Sequence, residues 1–290
     1  MLDWYSSPKS LSSVVRSPVR TTASVPVCIP LVGLARTLGP SRDMLGWQHS
    51  GSGRRSRRRA SELLDLYLRL VSLGIRYSYL LDSVGRWEEE EILDKMAEME
   101  VEDVLLCRLD EEVVLVNRRI LEQRLVGPMD VMVIHPLVVH MKLTQIDIMS
   151  SHESDLLFDK IIAIFAKTSL SKSSIRISSQ EICLPYLTGW LLGYPILYYF
   201  DSSDESNLLR NALTIQSLHK VSINGVLPYA NISVDLLEFT YPLCIIEVED
   251  VEERIQNRFR EIKKAVESQP EVIAEVGMSR SVEQPSSLVF

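Results

Sequence analysis

From Ser61 the chain takes up a helical rhythm: Leu63, Leu64, Tyr67, Leu68, Leu70 and Val71 recur at spacings of three and four, behind a Ser61 cap and ahead of Gly74. The period then drops to two. Ile75 to Leu81 alternates and ends wholly apolar, which predicts a strand entering a core, and the turn residues Asp82, Ser83 and Gly85 break it. An acidic helix from about Trp87 to Glu100 follows, with Ile92, Met96 and Met99 on one stripe, and Val101 to Leu109 reads as a second strand. Strand, helix and strand in this span predict a βαβ unit with parallel pairing and a right-handed crossover.

Further along, Val113 to Val116 makes a short strand, Asn117 caps a helix closed by Gly127 and Pro128, and Asp130 to His135 is another strand. Ser150 and Glu153 have capping-box spacing ahead of the apolar face Leu156, Leu157, Ile161, Ile164 and Phe165, and Ile175 to Ile177 is a short strand. Beyond residue 210 the texture becomes β-rich. Leu213 to Ile223 and Leu236 to Ile246 are long strand-like runs, with Asn224 and Gly225 as the turn signal for antiparallel pairing. Pro242 puts the second run at a sheet edge or starts it after the proline. A charged helix from Glu249 to Glu267 closes the body. The expected fold class is α/β: one mixed-sheet domain over residues 61–268, with a parallel βαβ N-terminal half, an antiparallel C-terminal half, flanking helices and a flexible tail over 269–290. No repeat of 20 to 50 residues is visible, which disfavours a solenoid.

Ile182 to Phe200 carries no charge and raises the question of a membrane span. Pro185, Gly189, Gly193 and Pro195 all fall inside it, so a buried helix ending at Gly193, with Pro195 opening the strand Ile196 to Phe200, accounts for the run better. The same segment carries a resemblance. Gly189, Trp190, Leu191, Leu192, Gly193, Tyr194 and Pro195, continuing to Phe200, resemble a motif of an uncharacterised animal protein family, the human chromosome 1 open reading frame 74 family. The order around it is also similar: a strand ending near Asp82, a strand near Leu213 and Thr214, and a terminal helix carrying Arg258, Phe259 and Arg260. The resemblance covers about residues 62–265 and implies a domain of unknown function, with no activity, cofactor or catalytic residue to carry over. Gly189, Gly193, Tyr194 and Pro195 enter as structural markers.

Composition changes the picture mainly at the N-terminus. Residues 1–60 hold eleven Ser and five of the thirteen Pro without a sustained period, which predicts a disordered arm. Of the 31 basic and 39 acidic side chains, ten and two fall in this arm, leaving 21 and 37 in the rest. A body that acidic repels phosphate backbones, so contact with nucleic acid is expected only through the arm and its cluster Arg54, Arg55, Arg57, Arg58 and Arg59. That cluster also has the composition of a nuclear-localisation patch, the whole arm has the Arg/Ser-rich balance of a mitochondrial transit peptide, and residues 25–35 have a proline-broken signal-like core. An arm under no folding selection, or an extension of the gene, is the plain alternative. Cys28, Cys107, Cys183 and Cys244 lie far apart without metal-finger spacing, which reads as small buried hydrophobes in a reducing compartment. The expectation is an intracellular chain, cytoplasmic or nuclear, without a membrane segment.

Chemistry is sparse. Ligands of open α/β sheets sit beyond the carboxyl ends of strands, where Asp82, Ser83 and Gly85 fall, and where His135 follows an apolar strand. Asp82 can hold a magnesium ion or a sugar hydroxyl, Ser83 and the Gly85 backbone can contact phosphate, and His135 can act as a base. Turn and capping roles account for all four as well. Glu88 to Glu91, Asp110 to Glu112 and Glu247 to Glu253 read as solvated faces rather than metal sites, Asn231 opens an idle glycosylation sequon, and both common nucleotide fingerprints are missing. No metal is expected and the cofactor is left open. The leading reading is an intracellular α/β protein acting through protein partners without catalysis. The alternative is a small-molecule or nucleotide-handling enzyme with its site at the strand carboxyl ends. Oligomeric state stays open.

Overall fold

The computed structural model describes residues 53–81, 87–110, 112–126, 136–141, 146–178, 180–199, 218–228, 232–246 and 250–283. Helix α1 spans Gly53–Ser72 and begins eight residues before the expected Ser61 cap. Nothing between Gly53 and Ser61 breaks a helix, arginine is a good helix former, Ala60 packs on the core and Arg57 reaches Glu91 at 2.5 Å. The basic cluster is therefore the first two turns of α1, and the arm outside the described residues ends at residue 52.

The first sheet is built from β1 (Ser78–Leu80), β2 (Val104–Leu109), β3 (Glu112–Asn117) and β6 (Ser174–Ile177), in the order β1-β3-β2-β6. β1 and β2 run in the same direction, as the βαβ reading requires, but β3 lies between them and is antiparallel to both. The tight turn at Asp110 folds β3 back along β2, so β3 holds the edge of β2 that β1 would take and the parallel neighbour of β2 is β6. Alternation along these strands serves two layers. Tyr79, Leu81, Val104, Leu106 and Leu115 meet Leu64, Leu68 and Val71 of α1 with Ile92 and Met96 of α2 (Glu89–Glu98). The opposite face, Leu80, Leu105, Cys107, Leu109, Val114, Val116, Ile175 and Ile177, packs on α4 (Ser151–Ala166) and α5 (Leu184–Leu192). The class is α/β, with parallel and antiparallel pairs in the same sheets.

Helix α3 (Arg118–Val126) follows β3 directly. Asn117 caps it as expected, its Oδ1 accepting the Ile120 N–H at 2.9 Å. The strand expected at 130–135 lies outside the described residues; the described strand nearby is β4 (Leu137–Met141), which pairs in parallel with β7 (Ile196–Tyr199) and antiparallel with β5 (Ile146–Ile148). Val138 and Leu197 face the α4/α5 core, whereas Val139, Ile196 and Tyr198 face the next one. The Ser150 and Glu153 capping box forms in full at the start of α4, while Leu156 is exposed on the far side of that helix.

The third sheet has the order β10-β8-β9, from β8 (Leu218–Leu227), β9 (Ile232–Pro242) and β10 (Glu275–Glu283). α6 (Val251–Glu267) lays Val251, Ile255, Ile262 and Val266 on the core it shares with Val221, Ile223, Phe239 and Tyr241. β9 is an edge strand that ends on Pro242, and a short 3-10 turn, Leu243–Ile245, follows it. Two expectations fail here. Asn224 and Gly225 are not a turn: both sit inside β8, and the hairpin closes beyond the pair Leu227 and Ile232. A β-carbon at Gly225 would stand 2.8 Å from Ile273 Cγ2, so close approach of a buried isoleucine is what the position demands. The register slips beside it, where Ile223 faces Leu237 and Asn224 faces Asp235. The extra residue, Leu236, lets two consecutive leucines both be buried. Glu275 to Glu283, expected as loose tail, is instead strand β10, because Val276 and Met278 pack on the core and all nine residues pair with β8.

Candidate functional site

Helix α5 ends at Gly193, which takes the left-handed conformation at φ 73°. Tyr194 N–H bonds Gly189 O at 3.0 Å and Gly193 N–H bonds Trp190 O at 3.1 Å, the paired bonds of a Schellman motif. Pro195 then leads into β7, and its carbonyl accepts the Leu137 N–H at 2.9 Å, tying β4 to the same corner. The Tyr194 ring packs 5.8 Å from Phe239. Gly189, Gly193, Tyr194 and Pro195 thus form one helix-to-strand corner, as the sequence predicts.

That corner seats charged groups which sequence reasoning missed. A β-carbon on Gly193 would lie 2.5 Å from Tyr77 Cδ2 and 3.0 Å from Arg258 Nη2, so glycine leaves the space in which both side chains sit. The Arg258 guanidinium carbon is 3.6 Å from the centre of the Tyr77 ring. Arg124, in the last turn of α3, stacks 4.0 Å from the Trp190 ring and 5.3 Å from that of Tyr77, and donates from Nη1 to Trp190 O at 2.6 Å. One carboxylate oxygen closes the cluster. Glu261 Oε2 accepts the Tyr77 hydroxyl at 2.9 Å and Arg258 Nη1 at 3.0 Å.

Four parts of the chain position the members. Tyr77 immediately precedes β1, Arg258 and Glu261 are one turn apart on α6, and Trp190 belongs to α5. Asn117 sets the place of α3: its Nδ2 donates to Val71 O at 2.7 Å and Ser72 O at 3.2 Å, clamping the end of α1 to the start of α3. Arg258 is 6% exposed, and its Nε is buried with no hydrogen-bond partner. On the same side of α6, Arg254 Nε and Nη1 and Asn257 Nδ2 are buried and unpartnered too. Glu261 by contrast keeps 54% of its side chain exposed.

The electrostatics follow from this packing. Burial pushes the Tyr77 phenol up, against the opposing pull of Arg258. Burial, with Arg258 as a like-charged neighbour, pushes Arg124 down to about 10, so it still carries its charge at neutral pH. Two guanidiniums over one tyrosine, served by one half-exposed carboxylate, make a locally positive corner in an acidic chain. The chemistry such a corner offers is hydrogen-bond donors of the kind that suit an anion: the shared Glu261 oxygen stands where a carboxylate or phosphate oxygen would accept the same two donors.

Asp82, Ser83, Gly85 and His135 lie outside the described residues. By position in the chain, Asp82 to Gly85 follow the carboxyl end of β1, whereas Tyr77 stands at its amino end. His140 falls within β4. The cluster at Glu88 to Glu91 is only partly the solvated face expected. Glu89 accepts from Ser174 Oγ at 2.5 Å and Arg176 Nη2 at 3.1 Å, and these bonds, the one from Ser174 foremost, hold its carboxyl below the usual range. Cys107 is buried, as expected of a small hydrophobe, but Cys244 is exposed beside Pro242; neither they nor Cys183 is in a disulfide. Among the described residues no three or more His, Cys, Asp or Glu side chains are grouped to hold a metal, and no helix is long and apolar enough to cross a membrane. One signal for the corner was legible. In α6 the buried stripe Val251, Ile255, Arg258, Ile262 and Val266 has an arginine at its centre, where helical spacing calls for an apolar residue.

The fold and the corner together define an α/β protein whose helix-to-strand joint packs two arginines against a tyrosine. The chain belongs to the family described as domain of unknown function DUF4504, whose model matches residues 48–290. The match takes in the whole of α1 and of β10, including the first two turns of α1 and all of β10, which sequence periodicity left outside the body. No curated protein and no solved structure matches the chain significantly.

Proposed function

We propose that the chain is a non-catalytic binding protein that acts through a protein partner, and that the corner formed by Tyr77, Arg124 and Arg258 receives an anionic group carried by that partner. The observation that carries this reading is the sharing of Glu261 Oε2 by the Tyr77 hydroxyl and Arg258 Nη1, with Arg124 against the same ring. Glu261 is an internal carboxylate standing where an external one would bind, on a side chain exposed enough to swing away. A phosphate, with more charge and more acceptor oxygens, competes with it.

Phosphate and a glutamate-rich peptide, titrated into the full chain and followed by heteronuclear NMR of the arginine side chains, test the reading. Glu261→Gln removes the competing charge and should tighten anion binding about tenfold. Arg124→Gln should abolish it, and a partner captured from cell extract by the wild type should be released by phosphate and lost with Arg124→Gln. Unchanged arginine signals in both wild type and Glu261→Gln would sink the proposal.

The kinship can be drawn more finely. Within the family, we place the chain with the human chromosome 1 open reading frame 74 proteins, on the segment from Gly189 to Phe200. We also read the body as one domain, since Leu70 and Ile75 share a core with β8, β9 and α6. The free thiols of Cys107, Cys183 and Cys244 support an intracellular, reducing setting. The enzyme alternative rests on Asp82, Ser83, Gly85 and His135, which lie outside the described residues.

A further inference from the structure

The two edges of the third sheet are treated differently. Along β9, Arg76 Nη1 donates to Asp235 O at 2.9 Å, the Tyr198 hydroxyl donates to Thr240 O at 3.0 Å, and Pro242 ends the strand. Side chains and a proline thus blunt that edge. Among the described residues β10 has no such device. It pairs with β8 over nine residues without a register shift, contains no proline, and among the described residues no side chain bonds its backbone. Gly277, Ser279 and Ser281 are exposed, a β-carbon at Gly277 would meet nothing within 4 Å, and Val282 is 56% exposed. At about 3.4 Å per residue this is an edge of roughly 30 Å, open among the described residues.

We infer that β10 pairs antiparallel with β10 of a second copy of this chain, about a two-fold axis through facing Met278 residues. A two-fold normal to the sheet keeps like faces together, so each residue meets one of its own face. With Met278 on the axis, Gly277 opposes Ser279, Val276 opposes Arg280, and Glu275 opposes Ser281. No like charges stand directly opposite one another. Centring the axis on Ser279 instead would set Glu275 against Glu283, a like-charge pair. In the Met278 register Val282 lies opposite Ala274 of the second copy and diagonal to its Val276, which covers the exposed valine with apolar surface. Gly277, Ser279 and Ser281 are small enough to leave the outer face flat, and Arg280 stays with Glu252, to which both its terminal nitrogens donate at 2.6 Å. The joined sheet has six strands.

Analytical ultracentrifugation of the full chain over a concentration series should show a reversible dimer. Met278→Cys should form an intermolecular disulfide under mild oxidation, located by mass spectrometry between two copies of residue 278. The double variant Gly277→Lys with Ser279→Lys, both on the exposed outer face, sets two lysine pairs opposite one another across the axis. It should raise the dimer dissociation constant about tenfold, with the thermal midpoint measured at concentrations where the chain is monomeric unchanged. A chain that stays monomeric throughout, a dimer untouched by the lysine pair, or a disulfide formed through another cysteine while residue 278 stays free would each overturn the inference. Because phosphate does not enter these measurements, their outcome is separate from that of the arginine corner.

Discussion

The guanidinium carbon of Arg258 lies over the ring of Tyr77, 3.6 Å from its centre, in the space that Gly193 leaves by lacking a side chain. The helix terminator of α5 and the charged corner are therefore one structural unit, and changing the first disturbs the second.

Gly193→Ala should be strongly destabilising for two separable reasons. An L-residue at φ 73° costs about 1–2 kcal/mol, and a β-carbon 2.5 Å from Tyr77 Cδ2 forces that ring to move. Gly193→Asn tolerates the backbone conformation but has the same β-carbon, so it isolates the second cost. Urea unfolding of both variants with and without Tyr77→Leu gives the coupling. The expected outcome is a loss of about 2–4 kcal/mol for Ala, much of it recovered when the ring is removed. Additive single effects would mean that Tyr77 is not what Gly193 accommodates.

Asn117 is 3% exposed and uses both ends of its amide, Oδ1 as the cap of α3 and Nδ2 as donor to Val71 and Ser72. Asn117→Ala should cost about 2–3 kcal/mol, from the lost cap and two carbonyls left short of a donor. Asn117→Asp keeps the cap oxygen yet faces those carbonyls with an acceptor, so it should be no better than alanine at neutral pH. Equilibrium unfolding in guanidinium decides this; a full rescue by Asp would show that only the cap matters.

These cases show what the sequence could and could not disclose. The Ser150 and Glu153 capping box, the Asn117 cap and the Gly193-to-Pro195 joint were legible because each is set by residues within a few positions of one another. The place of β3 between β1 and β2 was not, since local alternation says where strands are and not which neighbour they choose. Asn224 and Gly225 misled for the same reason: the motif favours a turn locally, but Ile273, far along the chain, fixes its use in the packing. β10 escaped because a strand in which Ser, Glu and Gly hold five of nine positions lacks β-propensity and is held by pairing with β8. In the corner, Arg258 was visible as a charge in an apolar stripe, but its meeting with Arg124 and Tyr77 depends on three elements brought together only by the fold.

The acid limb of stability should carry a contribution from Glu89. Hydrogen bonds, first that from Ser174 and then that from Arg176, hold its folded pKa below the ordinary 4.5. A depressed carboxylate stabilises the fold in full above its unfolded pKa and loses that contribution as pH falls through the folded value. The stability gap between wild type and Glu89→Gln should therefore be widest above pH 4.5 and shrink below it. Urea midpoints across a pH series measure it. Burial raises Glu238, which works in the opposite sense, so Glu238→Gln should not shrink the same way. A gap for Glu89→Gln that is constant with pH would refute the assignment.

Gly225 offers a direct trial of packing against turn propensity. A turn glycine with positive φ resists substitution through its backbone, whatever lies nearby; Gly225 has no positive φ, and the obstacle to a β-carbon is Ile273 Cγ2 at 2.8 Å and Leu236 Cδ1 at 3.1 Å. Gly225→Ala alone should cost about 1–3 kcal/mol by overpacking. Ile273 is fully buried, so Ile273→Ala alone should cost about 2–5 kcal/mol by leaving a cavity. Combined, the new methyl group enters that cavity, and the double variant should be less unstable than the two losses added together. Thermal unfolding of all four proteins completes the cycle. A strictly additive result would return Gly225 to the role of a backbone hinge, because only contact with Ile273 couples the two positions.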